Sequence, residues 1–378
     1  MNDNKHIEMK FENLLQLFEQ TQTEMRRQAA RSVDIALVVR NWLFGWYIVE
    51  FENAGAERID LYGKQLMKNL ADKLTSRLGK GFSKRSLELY RLFFMNYKEI
   101  TQTVSAQSLS LINHCIQDSL PIAPISFKPE ELMKYFKLGW SHYVTLITIR
   151  NSEERRFYEI EAIENNWSVR ELQRQLESSL YERLALSRDK RKIKELSEKG
   201  QVVGFAEDII KNPYILEFLN LPEHPHYSKH ELETAIIDKI EHFLLELGKG
   251  FLFEARQKRF TLDDDHFYVD LVFYNRLLRC YVLIDLKKDK LTHQDLGQMQ
   301  MYVNYFDRFV KKDYENPTIG ILLCHRKNDA LVELTLPEKS NIRASEYQLY
   351  LPSKDELKKQ LEDIQKDLTE EKKHDATS

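Results

Sequence analysis

The stretch FYVDLVFYNRLLRCYVLIDLK, Phe267 to Lys287, decides the fold. Phe267 to Tyr274 and Arg279 to Lys287 repeat at the two-residue period of a strand, and Asn275-Arg276-Leu277-Leu278 reads as the turn between them. On the first strand Phe267, Val269, Leu271 and Phe273 face one way, which leaves Asp270 on the other side with Tyr268 and Val272. A carboxylate among apolar neighbours on a central strand needs a partner, because burying it alone is costly. On the second strand Asp285 and Lys287 share the face opposite Val282, Ile284 and Leu286, so two carboxylates and an ammonium converge at adjacent strand ends. Such a group suits Mg²⁺, a hard cation that takes oxygen ligands and keeps several waters, while a lysine can hold or activate a bound water. The plainer alternative is an Asp–Lys pair that satisfies only itself.

Working outward, Phe251 to Phe260 is a third period-two segment, joined to the next by the turn residues LDDDH, so the three form an antiparallel meander. Before it, Ser228 and Glu231 make a capping box that opens a helix with the stripe Leu232, Ile236, Ile240, Phe243 and Leu247, ended at Gly248. Glu233 falls on the 233, 236, 240, 243, 247 stripe, so a carboxylate lies on the inward helix face, as a site residue or as a rim glutamate favoured by the helix dipole. After the meander Gln294 to Phe309 reads as a helix on which Gln298 and Tyr302 share a face, and Thr318 to Cys324 as a buried strand of the parallel kind. Helix, three strands, helix and strand make an α/β unit. Beyond Pro352, Leu357, Leu361, Ile364 and Leu368 fall at heptad spacing and predict a short docking helix.

The first half, Phe11 to Leu184, is helical in period. Gln65 to Leu78 reads as one helix, Gly79 to Phe82 as a turn, and Ser83 as the N-cap of the next, the outline of a helix-turn-helix. Pro121 to Ile125 reads as a loop, and Ser168 with Glu171 as a second capping box. The charged run Ser187 to Gly200 is either a solvated connector or a charged helix. Boundaries follow: a helical domain over 1–186, an α/β domain over 187–352, and a charged helix or tail over 353–378.

The chain has 378 residues and a net charge of −3, with 42% hydrophobic and 30% charged residues, which excludes a disordered or fibrous chain. That balance hides an asymmetry. Lys64 to Lys98 holds nine basic side chains against Asp72 and Glu88, a local +7, so it is the candidate polyanion contact, with Lys80, Lys84, Arg85 and Arg91 at the turn and second helix. No apolar run reaches the ~20 residues that span a bilayer. Cys115, Cys280 and Cys324 form no CxxC pair and the start has no apolar signal core, so a cytoplasmic location is expected. His224, His226 and His230 lie in a Pro-containing loop without matching ligands and are expected to be solvated. No P-loop, GxGxxG or GxSxG occurs.

Asp270 followed by Asp285-Leu286-Lys287, with Glu233 upstream and Gln298 and Tyr302 downstream, resembles the PD-(D/E)xK nuclease core. More closely, LLELGKGFLFEARQ, FYVDLVFYN, LRCYVLIDLK, GQMQMYVNY and NPTIGILLC, with GKGFSKRSLELYRLFF and WSVRELQRQLESSLYERL in the first half, resemble the YhcG family of PD-(D/E)xK nucleases over nearly the whole chain. The resemblance implies a restriction-endonuclease-like second domain in which Asp270 is the first aspartate, Asp285 takes the (D/E) position, Lys287 is the lysine and Glu233 the helix glutamate. It departs from the pattern twice: Asp285 stands where Glu is usual, and Val269 stands where a proline precedes the first aspartate. The expected activity is Mg²⁺-dependent phosphodiester hydrolysis, with Mn²⁺ able to substitute, on nucleic acid and DNA first. Asp270, Asp285 and Glu233 would hold the ion, Lys287 the water and Gln298 a supporting place. A homodimer is favoured, since cutting both strands needs two sites. The alternatives are a catalytically silent DNA- or protein-binding subunit of a defence or mobile-element system, and a branched-DNA or RNA nuclease.

Overall fold

Two units divide the chain in a computed structural model: residues 1–155 with 162–170, and residues 156–161 with 171–378. The structure describes residues 11–22, 33–53, 65–103, 132–186, 193–222, 227–262, 264–327, 329–337 and 340–359. The expected loop at Pro121, Cys115, His224, His226, the first half of the charged run and the heptad positions after residue 359 lie outside them.

The first unit is helical. Helix α1, Val33–Asn53, buries Trp42, Phe44, Trp46, Tyr47 and Phe51, and a helix apolar on all sides must sit inside. Its Gly45 has a steric reason: a Cβ there would lie 2.0 Å from the carbonyl oxygen of Tyr90, so only glycine lets the two helices cross so closely. Helix α2, Leu66–Leu78, buries Leu66, Leu70 and Leu74. Gly79 and Gly81 follow at φ +88° and +113°, left-handed values that favour glycine. Ser83 then caps α3, Lys84–Asn96, its hydroxyl accepting the Ser86 N–H at 3.1 Å. Two helices thus follow one another along the chain, joined by a glycine turn. Among the described residues no helix is long and apolar enough to cross a membrane.

The second unit is a six-stranded mixed sheet between helices. The strands are β1 (Tyr214–Ile215), β2 (Phe251–Leu262), β3 (Asp265–Asn275), β4 (Cys280–Lys290), β5 (Ile319–Arg326) and β6 (Ile342–Gln348), in the order β1-β6-β5-β4-β3-β2. The meander β2-β3-β4 is antiparallel as expected, and β5 runs parallel to β4. Strands β1 and β6 were not expected; β1 is only two residues long, and Ile342–Gln348 carries charged and polar residues that mask its strand character. One face of the sheet packs on α4 (Lys229–Asp238) and α5 (Ile240–Leu247) through Leu232, Ile236, Phe243, Ile284 and Leu323. The other packs on α6 (His293–Tyr305) through Leu296, Met299, Tyr302, Leu283 and Leu322. The single helix expected from Ser228 to Leu247 is two, because Lys239 leaves helical geometry at φ −118°, ψ 32°. The apolar stripe carries across the break, so periodicity alone does not reveal it.

The alternation expected along β3 also breaks. Leu271 and Phe273 pack on the α4/α5 layer, but Phe267 and Val269 join Val272 on the α6 layer. The phase slips at Asp270, where β3 parts from β4: their pairing ends at Leu271 with Ile284, while β2 follows β3 to its start.

Candidate active site

Asp270 fills the gap where β3 leaves β4. Its Oδ2 accepts the Leu286 N–H at 2.8 Å, so a side chain takes the place of the departed strand's carbonyl. Both neighbours are fixed by pairing, Val269 with Lys258 of β2 and Leu271 with Ile284 of β4, and the buried carboxylate lies beside the end of β4 that carries Asp285 and Lys287. The ammonium of Lys229, in the first turn of α4, then bridges the two acids, 2.6 Å from Asp270 Oδ2 and 3.2 Å from Asp285 Oδ1. Lys287 lies 2.7 Å from Asp285 Oδ2 and 2.8 Å from Asp295 Oδ1, and it donates to Gln298 Oε1 at 3.3 Å. Gln298 in turn donates to the Tyr302 hydroxyl at 2.6 Å.

Glu233 approaches from α4 by another route. One of its oxygens is held by Arg256 and the other accepts from Gln257 Nε2 at 2.7 Å; the same Nε2 donates to Asp270 Oδ1 at 3.1 Å. Gln257 can reach both because β2 is irregular: its register shifts between Phe253 and Ala255, and Gln257 itself sits at φ 48°, a left-handed value uncommon for a residue with a side chain. Strained backbone of this kind gathers at functional sites, where surrounding contacts hold it.

The electrostatics follow from crowding two buried acids. Burial and the Asp285 carboxylate push Asp270 up to about 7. Burial would raise Asp285 too, but a hydrogen bond from Asp270 and the ammoniums of Lys229 and Lys287 hold it below the usual carboxylate range. Burial works against a charged Lys287, yet Asp285 and Asp295 outweigh it and keep the side chain an ammonium well above its ordinary range.

All five residues expected from sequence at the catalytic centre, Asp270, Asp285, Lys287, Glu233 and Gln298, thus belong to one connected network. Four more join it: Lys229, Arg256, Gln257 and Asp295. Lys229 was within reach of sequence reasoning, since it stands four before Glu233 on one helix face. Asp295 was hidden by its other job, as the capping residue whose carboxylate accepts the Thr292 N–H at 2.9 Å. Nothing in the sequence signals the backbone turn that aims Gln257.

A divalent ion can be tested against these residues. The donor set is oxygen from two carboxylates, which suits Mg²⁺ better than a soft metal. The Lys229 ammonium is a stand-in: one cation already bridges Asp270 and Asp285. Among the described residues no group of three or more His, Cys, Asp or Glu is gathered to hold an ion, so the fit is to an ion that completes its shell with water. The residues fit the group.

The basic segment divides on inspection. Arg91 is paired with Glu52 at 2.7 Å, and Arg77 with Glu12 at 2.8 Å. Lys84 lies 3.7 Å from Glu88, both well exposed. Lys80 and Arg85 are exposed and carry no ion pair among the described residues.

A mixed sheet between helices, with paired aspartates and a lysine at the ends of β3 and β4, defines the nuclease domain of PD-(D/E)xK type. Residues 207–362 match the family described as YhcG PDDEXK nuclease domain, and residues 18–183 match the DUF1016 N-terminal domain. The chain is 36% identical over 345 residues to a protein of Escherichia coli (strain K12) named "Putative nuclease YhcG", covering 89% of each. The chain belongs to the YhcG family. A crystal structure of a repair endonuclease from Pyrococcus abyssi aligns at 19% identity, covering 35% of this chain and 50% of that one. Its TM-score is 0.23.

Proposed function

We propose that the protein is a Mg²⁺-dependent nuclease that hydrolyses phosphodiester bonds, with DNA as the first substrate to test. The observation that supports this most is the bridging of Asp270 and Asp285 by one cationic group, with a second ammonium, Lys287, on the far oxygen of Asp285. Asp270 and Asp285 would hold the ion, and Glu233 would act through Gln257 to keep Asp270 oriented. When bound, the ion supplies Lewis acidity to the scissile phosphate and a bound water of lowered pKa. Lys287 donates hydrogen bonds and positive charge at the site's edge, and Asp295 with Gln298 holds its ammonium in place. The site needs Asp270 ionised to work this way, and a cation favours that form.

Substrate recruitment is assigned to the first unit. Lys84 and Arg85 occupy the first turn of α3, which contains no acidic residue, so side-chain charge adds to the positive end of the helix dipole. That arrangement opposes helix stability and attracts phosphate. The contact is backbone-directed and salt-sensitive, and two chains acting together would be needed to cut both strands of a duplex. Incubating the purified protein with labelled duplex DNA, branched DNA, single-stranded DNA and RNA, with Mg²⁺ or with EDTA, tests the reading. Mg²⁺-dependent cutting of DNA supports it; Mg²⁺-dependent cutting of RNA alone changes the substrate and keeps the chemistry.

A further inference from the structure

Two lysines meet the paired aspartates, and they are held differently. Lys287 is 18% exposed and tied to three partners, Asp285, Asp295 and Gln298. Lys229 is 41% exposed and its described polar contacts are Asp270 and Asp285 alone, whose side chains are only 4% and 3% exposed. Its ammonium therefore closes the carboxylate pair from the solvent side. Its backbone is fixed by the cap of α4, where the Ser228 hydroxyl accepts the Glu231 N–H at 3.1 Å, while four methylenes leave the charged end free to swing. A lysine at the first position of a helix also runs against the helix dipole, so the helix does not favour it there; the two carboxylates do.

We infer that Lys229 is a resident counter-cation: it occupies the divalent-ion position between Asp270 and Asp285 in the metal-free protein and must be displaced for an ion to bind. The inference rests on the ion site proposed above. Lys229 neutralises two acids that would otherwise repel each other across a buried gap, and it sets a threshold of ion concentration below which the site stays closed. Once displaced it has solvent to move into at the mouth of the site.

The test is Ca²⁺ binding, followed by titration calorimetry on the full chain without nucleic acid, for wild type, Lys229→Met and Lys229→Arg. Methionine keeps the apolar stem and removes the charge; arginine keeps the charge. Lys229→Met should bind Ca²⁺ about tenfold tighter or more, and Lys229→Arg should stay near wild type. The melting temperature of metal-free Lys229→Met should fall below that of wild type and rise further than wild type's on adding Ca²⁺, because the aspartates lose one cation and gain another. Wild type that binds Ca²⁺ while Lys229→Met binds equally or more weakly overturns the inference and leaves the ion site standing. Absence of binding in all three proteins overturns the ion site itself.

Discussion

The backbone N–H of Leu286 donates to the carboxylate of Asp270 at 2.8 Å, so the first acidic residue of the site is also a structural replacement for a missing strand. That double duty separates two substitutions. Asp270→Asn keeps an acceptor for the N–H, whereas Asp270→Ala leaves it buried and unpaired at a cost of about 1–3 kcal/mol. Urea unfolding in EDTA at pH 5, where a large part of the acid's own charge is removed, should therefore rank Asn above Ala.

The same acid predicts a pH dependence. With its pKa raised from 3.8 to about 7, folded metal-free protein keeps a proton on Asp270 over a range where the unfolded chain has lost it. The stabilisation this brings is fully present below 3.8 and is lost as the pH rises through about 7. Asp270→Asn is uncharged throughout. In EDTA it should match wild type near pH 4 and exceed it at pH 8 by roughly 3–4 kcal/mol, measured by urea unfolding. A constant difference across that window would contradict the assignment.

Away from the site, Glu246 is fully buried among cations. It lies 2.6 Å from Arg183 and 3.2 Å from Arg174, accepts the Ile215 N–H at 3.0 Å, and its backbone carbonyl accepts from Lys211. Burial alone would raise its pKa, but these cations hold it down to about 2. Removing one partner strands buried charge, so Glu246→Ala should cost about 3–5 kcal/mol, read as a lower urea midpoint. This network binds helices Val169–Glu177 and Leu180–Leu186 to the sheet.

Much of the site was legible because strand parity is a strong constraint. Parity puts Asp285 and Lys287 on one face of β4, opposite Ile284 and Leu286, which pack in the other layer, and the two side chains pair at 2.7 Å. Asp270 was placed with Val272, correctly for the paired part of β3, but the slip that puts Val269 on the same side depends on where β3 leaves β4, which is a tertiary event. Lys229 is masked in the sequence because a charged residue beside a helix cap reads as solvated. The break at Lys239 was invisible because both helices keep their apolar residues in phase. The basic segment shows the converse limit: formal charge counts Arg77 and Arg91, yet Glu12 and Glu52 neutralise them in the fold.

That difference predicts unequal effects on nucleic-acid binding. Lys84→Glu with Arg85→Glu should weaken binding and reduce the slope of log K against log[salt] by about 2, as fewer counterions are released. Arg91→Glu, which mainly breaks the pair with Glu52, should change the slope by less than about 1. Fluorescence anisotropy across a salt series measures both, in Ca²⁺ so that no cutting occurs. Equal slopes for all variants would place the binding surface elsewhere.

Asp285 carries the most: it meets Lys229 with one oxygen and Lys287 with the other. The most direct measurement is the cleavage rate of labelled DNA in Mg²⁺ by wild type and by Asp285→Ala, with nucleic-acid binding measured alongside to show that the variant is folded. Wild type should cut and EDTA should stop it, while Asp285→Ala should lose about 10³-fold or more in rate with binding retained. A wild type that cuts no nucleic acid in Mg²⁺ or Mn²⁺, or an Asp285→Ala protein that cuts as fast as wild type, would contradict the account.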